Sequence, residues 1–233
     1  AMLGAMMLRA FPAPIFPDVP VDQLDVYTRF GDPAVAIAED QEQVDKLVGL
    51  RARLGRPARI VFDDPRGLVI DRPEAVMPLE DLVREGQARL DAEPGLAQSL
   101  KSRTQPDDIA VLLYSSGTTG IPKGVPLRHR NVMRGIGNAT RGGYFQPGEE
   151  LFAYLPTAWV GDFVFTLSAA VALHGTINIP ERQETVAHDI REVAPTFYLA
   201  APRAWDNMLT RIQVGMADST PDRKSTRLNS SHA

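Results

Sequence analysis

Short apolar runs of strand type alternate along the chain with longer stretches whose apolar residues recur at helical spacing. Pro14 to Phe16, Ala34 to Ala38, Ala58 to Phe62, Ile109 to Tyr114, Leu151 to Tyr154, Thr176 to Ile179 and Thr196 to Ala200 read as strands. Gln41 to Leu54 places Val44, Leu47, Val48, Leu50 and Leu54 near one side, and Leu79 to Leu90 repeats the pattern with Leu82, Val83 and Leu90. Glu184 to Val193 and Pro202 to Val214 complete the helices, the last with a proline suited to a first turn. The polar stretch from Asp91 to Pro106 reads as a linker, or a surface helix followed by a loop. Strands that alternate with helices predict an α/β fold of βαβ units with largely parallel sheets.

Composition narrows this only slightly. The 233 residues have the apolar and charged balance of an ordinary globular chain, and the absence of cysteine removes disulfides, thiolate metal sites and a cysteine nucleophile together. No run approaches the roughly 18 apolar residues of a membrane-spanning helix. These features lead to the expectation of a cytoplasmic location. The histidines at 129, 174, 188 and 232 show no metal-ligand spacing among themselves. A net charge of −4 argues against nucleic acid as partner and means that an anionic ligand needs a local cluster of donors.

One segment supplies such a cluster. The continuous apolar run Ile109 to Tyr114 predicts a buried strand and leads into Ser115-Ser116-Gly117-Thr118-Thr119-Gly120-Ile121-Pro122-Lys123-Gly124. At a strand's carboxyl end this is where open α/β sheets place ligands. Gly117, Gly120 and Gly124 allow backbone N–H groups to approach an anion, the four hydroxyls add donors, and Lys123 adds a cation. Pro122 stiffens the approach to the lysine, and a helical pattern resumes near Arg130. A surface turn rich in Ser, Thr and Gly is the bland reading, but this order of residues after a buried strand favours a polyphosphate clamp. The spacing is not that of a Walker A loop, because Gly117 and Gly120 are too close and Lys123 is followed by Gly124.

The run from Tyr114 to Gly124 resembles the AMP-binding signature of the adenylate-forming superfamily residue for residue, and Val125 to Asn131 continues it in the manner of acyl-CoA synthetases. Arg128 stands where relatives usually have Ser or Thr, so a helix-capping hydroxyl is expected to be absent. Tyr154 to Asp162 resembles a block reading roughly Leu-Pro-Leu-Ala-His-x-x-Glu in the long-chain branch, with Trp159 in the place of His and Asp162 in the place of Glu. Trp159, Phe163 and Phe165 read equally as ordinary core or as the lining of an acyl tunnel. Asp189 to Trp205 resembles the stretch before the family's adenine-binding region, where Arg203 reads as a surface residue or an anion contact. Together with Glu39 to Asp45 and Val61 to Gly67, the likeness covers nearly all of residues 1 to 221.

The resemblance implies part of the large N-terminal domain of a long-chain fatty acyl-CoA synthetase. Such an enzyme activates a carboxylate as an acyl-adenylate with Mg2+ and ATP, then passes the acyl group to coenzyme A. It implies that Ser115, Ser116, Gly117, Thr118, Thr119, Gly120 and Lys123 hold ATP phosphates, and that Trp159 lies on the substrate side. Other adenylate-formers remain open: an aryl or short-chain acyl-CoA ligase, or a peptide-synthetase adenylation domain. A non-catalytic nucleotide-binding module also remains open. Its partners would be fatty acid, ATP and coenzyme A, and peripheral membrane association of the parent is compatible with it. The family's Tyr-Gly-x-Thr-Glu block, ribose-binding aspartate and C-terminal catalytic lysine do not occur here, so the polypeptide alone is expected to be inactive. Finally, Asp222 to His232 matches, codon for codon, the translation of a common short-read sequencing adapter, so residues 222–233 are expected to be a non-native tail and the gene to continue differently after about Pro221.

Overall fold

A computed structural model describes residues 1–68, 75–115 and 122–217. In chain order these contain α1 (Met2–Met7), α2 (Val21–Gly31), β1 (Val35–Ala38), α3 (Gln41–Leu54), β2 (Arg59–Phe62), β3 (Val76–Pro78), α4 (Leu79–Ala92), α5 (Leu96–Arg103), β4 (Ile109–Ser115), β5 (Lys123–Arg128) and α6 (His129–Arg141). They continue with β6 (Glu150–Phe152), α7 (Val160–Asp162), a π-helical segment (Phe163–Ser168), α8 (Ala169–Leu173), β7 (Thr176–Asn178), α9 (Val186–Val193) and α10 (Pro202–Ala217). The α/β expectation holds: β1-β2-β3 and β6-β7 are parallel sheets.

The first sheet shows how local rules build the fold. Asp40 caps α3 by accepting from the Gln43 N–H at 3.0 Å, and the helix ends at Gly55, whose φ of +67° suits a residue without Cβ. The capped helix carries β1 back to a parallel β2, with Val35 beside Arg59 and Ala38 beside Phe62. Its inner face buries Val44 against Ala38, Ile60, Phe62 and Val76, with Leu47, Val48 and Leu68 packed around them. On its other side Leu50 joins Val19 and Leu24, which fastens α2 to the same unit.

The central strand β4 is the most continuously buried among the described residues, with four of its residues buried in a row. Ala110, Val111 and Leu113 pack against Val132 and Ile136 of α6 and against Phe163 and Val164. The N-terminal segment is tied to this region at two points. Arg9 forms a bidentate ion pair with Asp108 at 2.8 Å, which together with the Gln105 N–H holds that carboxyl down at about 2, and the Leu112 N–H donates to the Pro12 carbonyl at 2.9 Å.

Several expectations are corrected. Pro14 to Phe16 forms no strand, because Pro12, Pro14 and Pro17 remove the donors that a ladder needs. Thr196 to Ala200 contributes a single parallel bridge, Phe197 to Leu151, in place of a strand. The stretch after Asp91 is mostly helical: α4 runs to Ala92, and Gly95 at φ +88° turns the chain into α5. The helix expected from Glu184 starts at Val186. The largest addition is β5, which the strand pattern does not announce and which runs antiparallel to β4.

Candidate functional site

The site is built on that hairpin. Ser115 pairs with Lys123, Tyr114 with Gly124 and Leu113 with Val125, so the chain leaves and re-enters the sheet at points about 5 Å apart. Of the expected phosphate-binding residues, Ser115 and Lys123 are therefore adjacent and both exposed at the base of the loop. Ser116, Gly117, Thr118, Thr119 and Gly120 lie outside the described residues. No carboxylate pairs with Lys123 among the described residues, which leaves its cation available to an anionic ligand.

The base of the loop is held rigidly. Tyr114 donates its hydroxyl to the Tyr27 carbonyl at 3.0 Å and meets the Tyr27 ring edge-on at 4.4 Å. Burial, with Tyr27 beside it, pushes the Tyr114 phenol up to about 12, so it remains a neutral donor. Gly124 has a different role from the expected one. A Cβ there would lie 3.1 Å from Leu112 Cδ1 and 3.7 Å from the Tyr114 ring, so this glycine provides room for packing inside the hairpin. Gly31 does the same for the Tyr114 hydroxyl, 3.0 Å from where its Cβ would be.

Helix α6 follows, but its amino terminus is already occupied. The His129 N–H donates to the Asp108 carbonyl at 3.1 Å and the Arg130 N–H to the Pro106 carbonyl at 2.9 Å. The capping hydroxyl is absent as expected at Arg128, and Asn131 compensates by accepting from the Arg128 N–H at 2.9 Å. The Arg128 guanidinium turns to the Asp107 carbonyl at 2.6 Å, and Arg130 pairs with the Asp107 carboxylate. The first N–H groups of α6 are thus engaged within the fold.

A cleft of about 190 Å3 opens beside Ser115, lined by Pro14, Ile15, Phe16, Tyr27, Tyr114 and Ala158. Ala158 belongs to the block carrying Trp159 and Asp162. Phe163 is wholly buried and Phe165 packs against the core, whereas Trp159 remains 37 % exposed. Its indole lies over Gly161, where a Cβ would come within 2.8 Å of the ring. Asp162 is only 2 % exposed, and burial raises its carboxyl to about 6 despite the hydrogen bond with Thr166. Arg203 is exposed at the second position of α10.

A second constellation escapes sequence reasoning that compares the histidines only with one another. On exposed α9, His188, Asp189 and Glu192 bring one donor atom each within 4.8 Å of the others. The His188 ring nitrogen lies 3.4 Å from the Asp189 carboxylate and 3.7 Å from that of Glu192, which accounts for the grouping.

Comparisons with known proteins agree with this geometry. The AMP-binding enzyme family matches residues 1–231, and the chain belongs to that family. Among curated relatives, the long-chain fatty acid–CoA ligase ACSBG1 of Rattus norvegicus is 26% identical over 193 residues, covering 79% of this chain and 26% of the rat protein. The long-chain fatty acid–CoA ligase heimdall of Drosophila melanogaster is 25% identical over 227 residues, 95% of this chain and 33% of that protein. The chain thus spans about a quarter to a third of the length of these relatives. In fold it is similar to VinN, with a TM-score of 0.64 at 18% identity over 91% of this chain and 47% of that one. It is also similar to the adenylation domain of a carboxylate reductase from Mycobacterium chelonae, with a TM-score of 0.63 at 18% identity over 93% of this chain and 35% of that one.

Proposed function

We propose that the chain is part of an ATP-dependent long-chain fatty acid–CoA ligase and forms the pyrophosphate side of its adenylation site. The observation that carries the reading is the hairpin. It brings Ser115 and Lys123 together at the two ends of a segment that resembles the family signature. In this reading the Ser115 hydroxyl, the hydroxyls and N–H groups of residues 116–120 and the Lys123 ammonium bind the β- and γ-phosphates of ATP. They stabilise the negative charge that gathers on pyrophosphate as a carboxylate displaces it from the α-phosphate. Coenzyme A then accepts the acyl group.

Mg2+ enters with the nucleotide. The cleft beside Ser115 is lined by apolar and tyrosine side chains and offers no carboxylate among the described residues, so phosphate oxygens and not a protein cage would hold the ion. That apolar lining supports an acid with a hydrocarbon substituent. No nucleophilic side chain is needed, in keeping with a chain that has no cysteine.

The test uses a full-length enzyme carrying this segment. Lys123→Ala and Thr119→Ala should each lower fatty-acid-dependent ATP–pyrophosphate exchange by about 100-fold while leaving the melting curve in place. Wild-type exchange by both variants would remove the clamp. Profiling acids of different chain length separates the readings further, since preference for aryl or short acids would replace the long-chain assignment by another adenylate-forming ligase. The present polypeptide alone should show no exchange.

A further inference from the structure

Helix α9 carries a group of side chains that the phosphate site does not use. In Val-Ala-His-Asp-Ile-Arg-Glu-Val, the apolar residues Val186, Ile190 and Val193 recur at helical spacing and form the partly buried face. His188 and Glu192, four residues apart, therefore fall together on the outward side, with Asp189 at its margin. Their side chains are 70 %, 74 % and 20 % exposed respectively. His188 Nδ1 and one carboxylate oxygen each from Asp189 and Glu192 lie within 4.8 Å of one another.

The spacing differs from that of closed ion pairs. Both carboxylates face the same ring nitrogen at 3.4 and 3.7 Å, beyond the roughly 2.7–3.2 Å of a good N–H···O bond. Elsewhere the ion pairs Arg29–Asp25 and Lys46–Glu42, also four residues apart, close to 2.8 and 2.7 Å. Around a tetrahedral zinc ion with bonds of about 2.0–2.2 Å, two donors stand about 3.3–3.6 Å apart. The nitrogen and its two carboxylates are already near that separation, and the long, exposed Glu192 can swing to close the third edge. Asp189 is also held in place: its Oδ2 lies 2.5 Å from the Thr185 hydroxyl while its Oδ1 faces His188. An outer hydrogen bond of this kind orients a ligating carboxylate.

We propose that His188, Asp189 and Glu192 form a surface site for a late first-row divalent cation of the zinc type. An imidazole among the donors suits such an ion, whereas Mg2+ and Ca2+ favour sets made of oxygen alone. The two carboxylates balance the double positive charge, and the absence of cysteine means that no thiolate competes for the ion. Glu192 stands in the last turn of α9, where the helix dipole favours a cation. A hollow of about 480 Å3 lined by His188, Arg191 and Glu192 leaves the remaining coordination position to water or to a small anion, for which Arg191 is a counter-charge. The bound ion would staple the turn of α9 that leads through Ala194 to the bridge between Phe197 and Leu151 of β6. The proposal is independent of the ligase reading and separate from the Mg2+ that enters with the nucleotide.

Isothermal titration of zinc chloride into the full chain at about pH 7.5 tests it. His188→Ala and Glu192→Gln should each lower the zinc affinity at least about tenfold. Without metal, both variants should melt with the parent chain, since both side chains are exposed. Zinc should raise the melting midpoint of the parent and leave that of His188→Ala in place. Magnesium chloride in about 100-fold excess should not displace the zinc. Absence of zinc binding, an unchanged affinity in His188→Ala, or displacement by magnesium would overturn the proposal.

Discussion

The β1-β2-β3 sheet and the β4-β5 hairpin are built in opposite ways. In the first, parallel strands are joined by a helix that has a side-chain cap at Asp40, a glycine exit at Gly55 and one buried face. In the second, a strand with four consecutive buried residues pairs with one that has none, and a loop rich in hydroxyls and glycine lies between them. The comparison separates stability from function. The sheet satisfies each local preference, whereas the hairpin sets exposed Ser115 beside exposed Lys123 at the end of a buried strand, the arrangement on which the proposed phosphate site rests.

Removing a core side chain from the sheet should have the largest effect. Phe62 is 2 % exposed in the centre of that cluster, and Phe62→Ala should destabilise by about 3–5 kcal/mol in urea unfolding. A loss near that of a surface substitution would show that the first sheet is not the stabilising unit described.

The next effect depends on pH. Burial raises the Asp162 carboxyl to about 6, so the folded state holds its proton more tightly than the unfolded chain does. That contribution to stability is full below about pH 4 and is lost as pH rises to about 6 and beyond. Asp162→Asn should therefore stabilise by on the order of 2 kcal/mol at pH 8 and by little at pH 4. A pH-independent difference would mean that burial does not penalise the charged carboxylate.

A smaller test makes the same substitution in both regions. Gly49 lies on α3 with nothing within 4 Å of the point where a Cβ would stand, whereas at Gly124 that point is 3.1 Å from Leu112. Gly49→Ala should stabilise by up to about 1 kcal/mol, and Gly124→Ala should destabilise by about 1–2 kcal/mol. Melting midpoints that shift in the same direction would erase the contrast.

How much of this is legible in the sequence follows from where each signal resides. Helix α3 can be read with its true ends, because its periodic apolar residues, Asp40 and Gly55 are all local features. Strand β5 cannot, since Gly124 and Pro126 interrupt its two apolar residues, none of its side chains is buried, and its pairing with β4 makes it a strand. Helix α2 escapes for a similar reason: Pro20 stands where a capping side chain would give the signal, and its buried Leu24 packs on Val19 and distant Leu50. At the site, residue order alone locates Ser115 and Lys123. Their pairing across the hairpin, the packing role of Gly124 and the occupied end of α6 depend on contacts between separate segments, which no local pattern encodes.

The central claim is that this hairpin binds polyphosphate, and the most direct measurement is isothermal titration of magnesium pyrophosphate into the chain and into its Lys123→Ala variant. The account predicts measurable binding by the chain, an affinity at least about tenfold lower in the variant, and coincident melting curves for the two. Equal affinity in both proteins would contradict it.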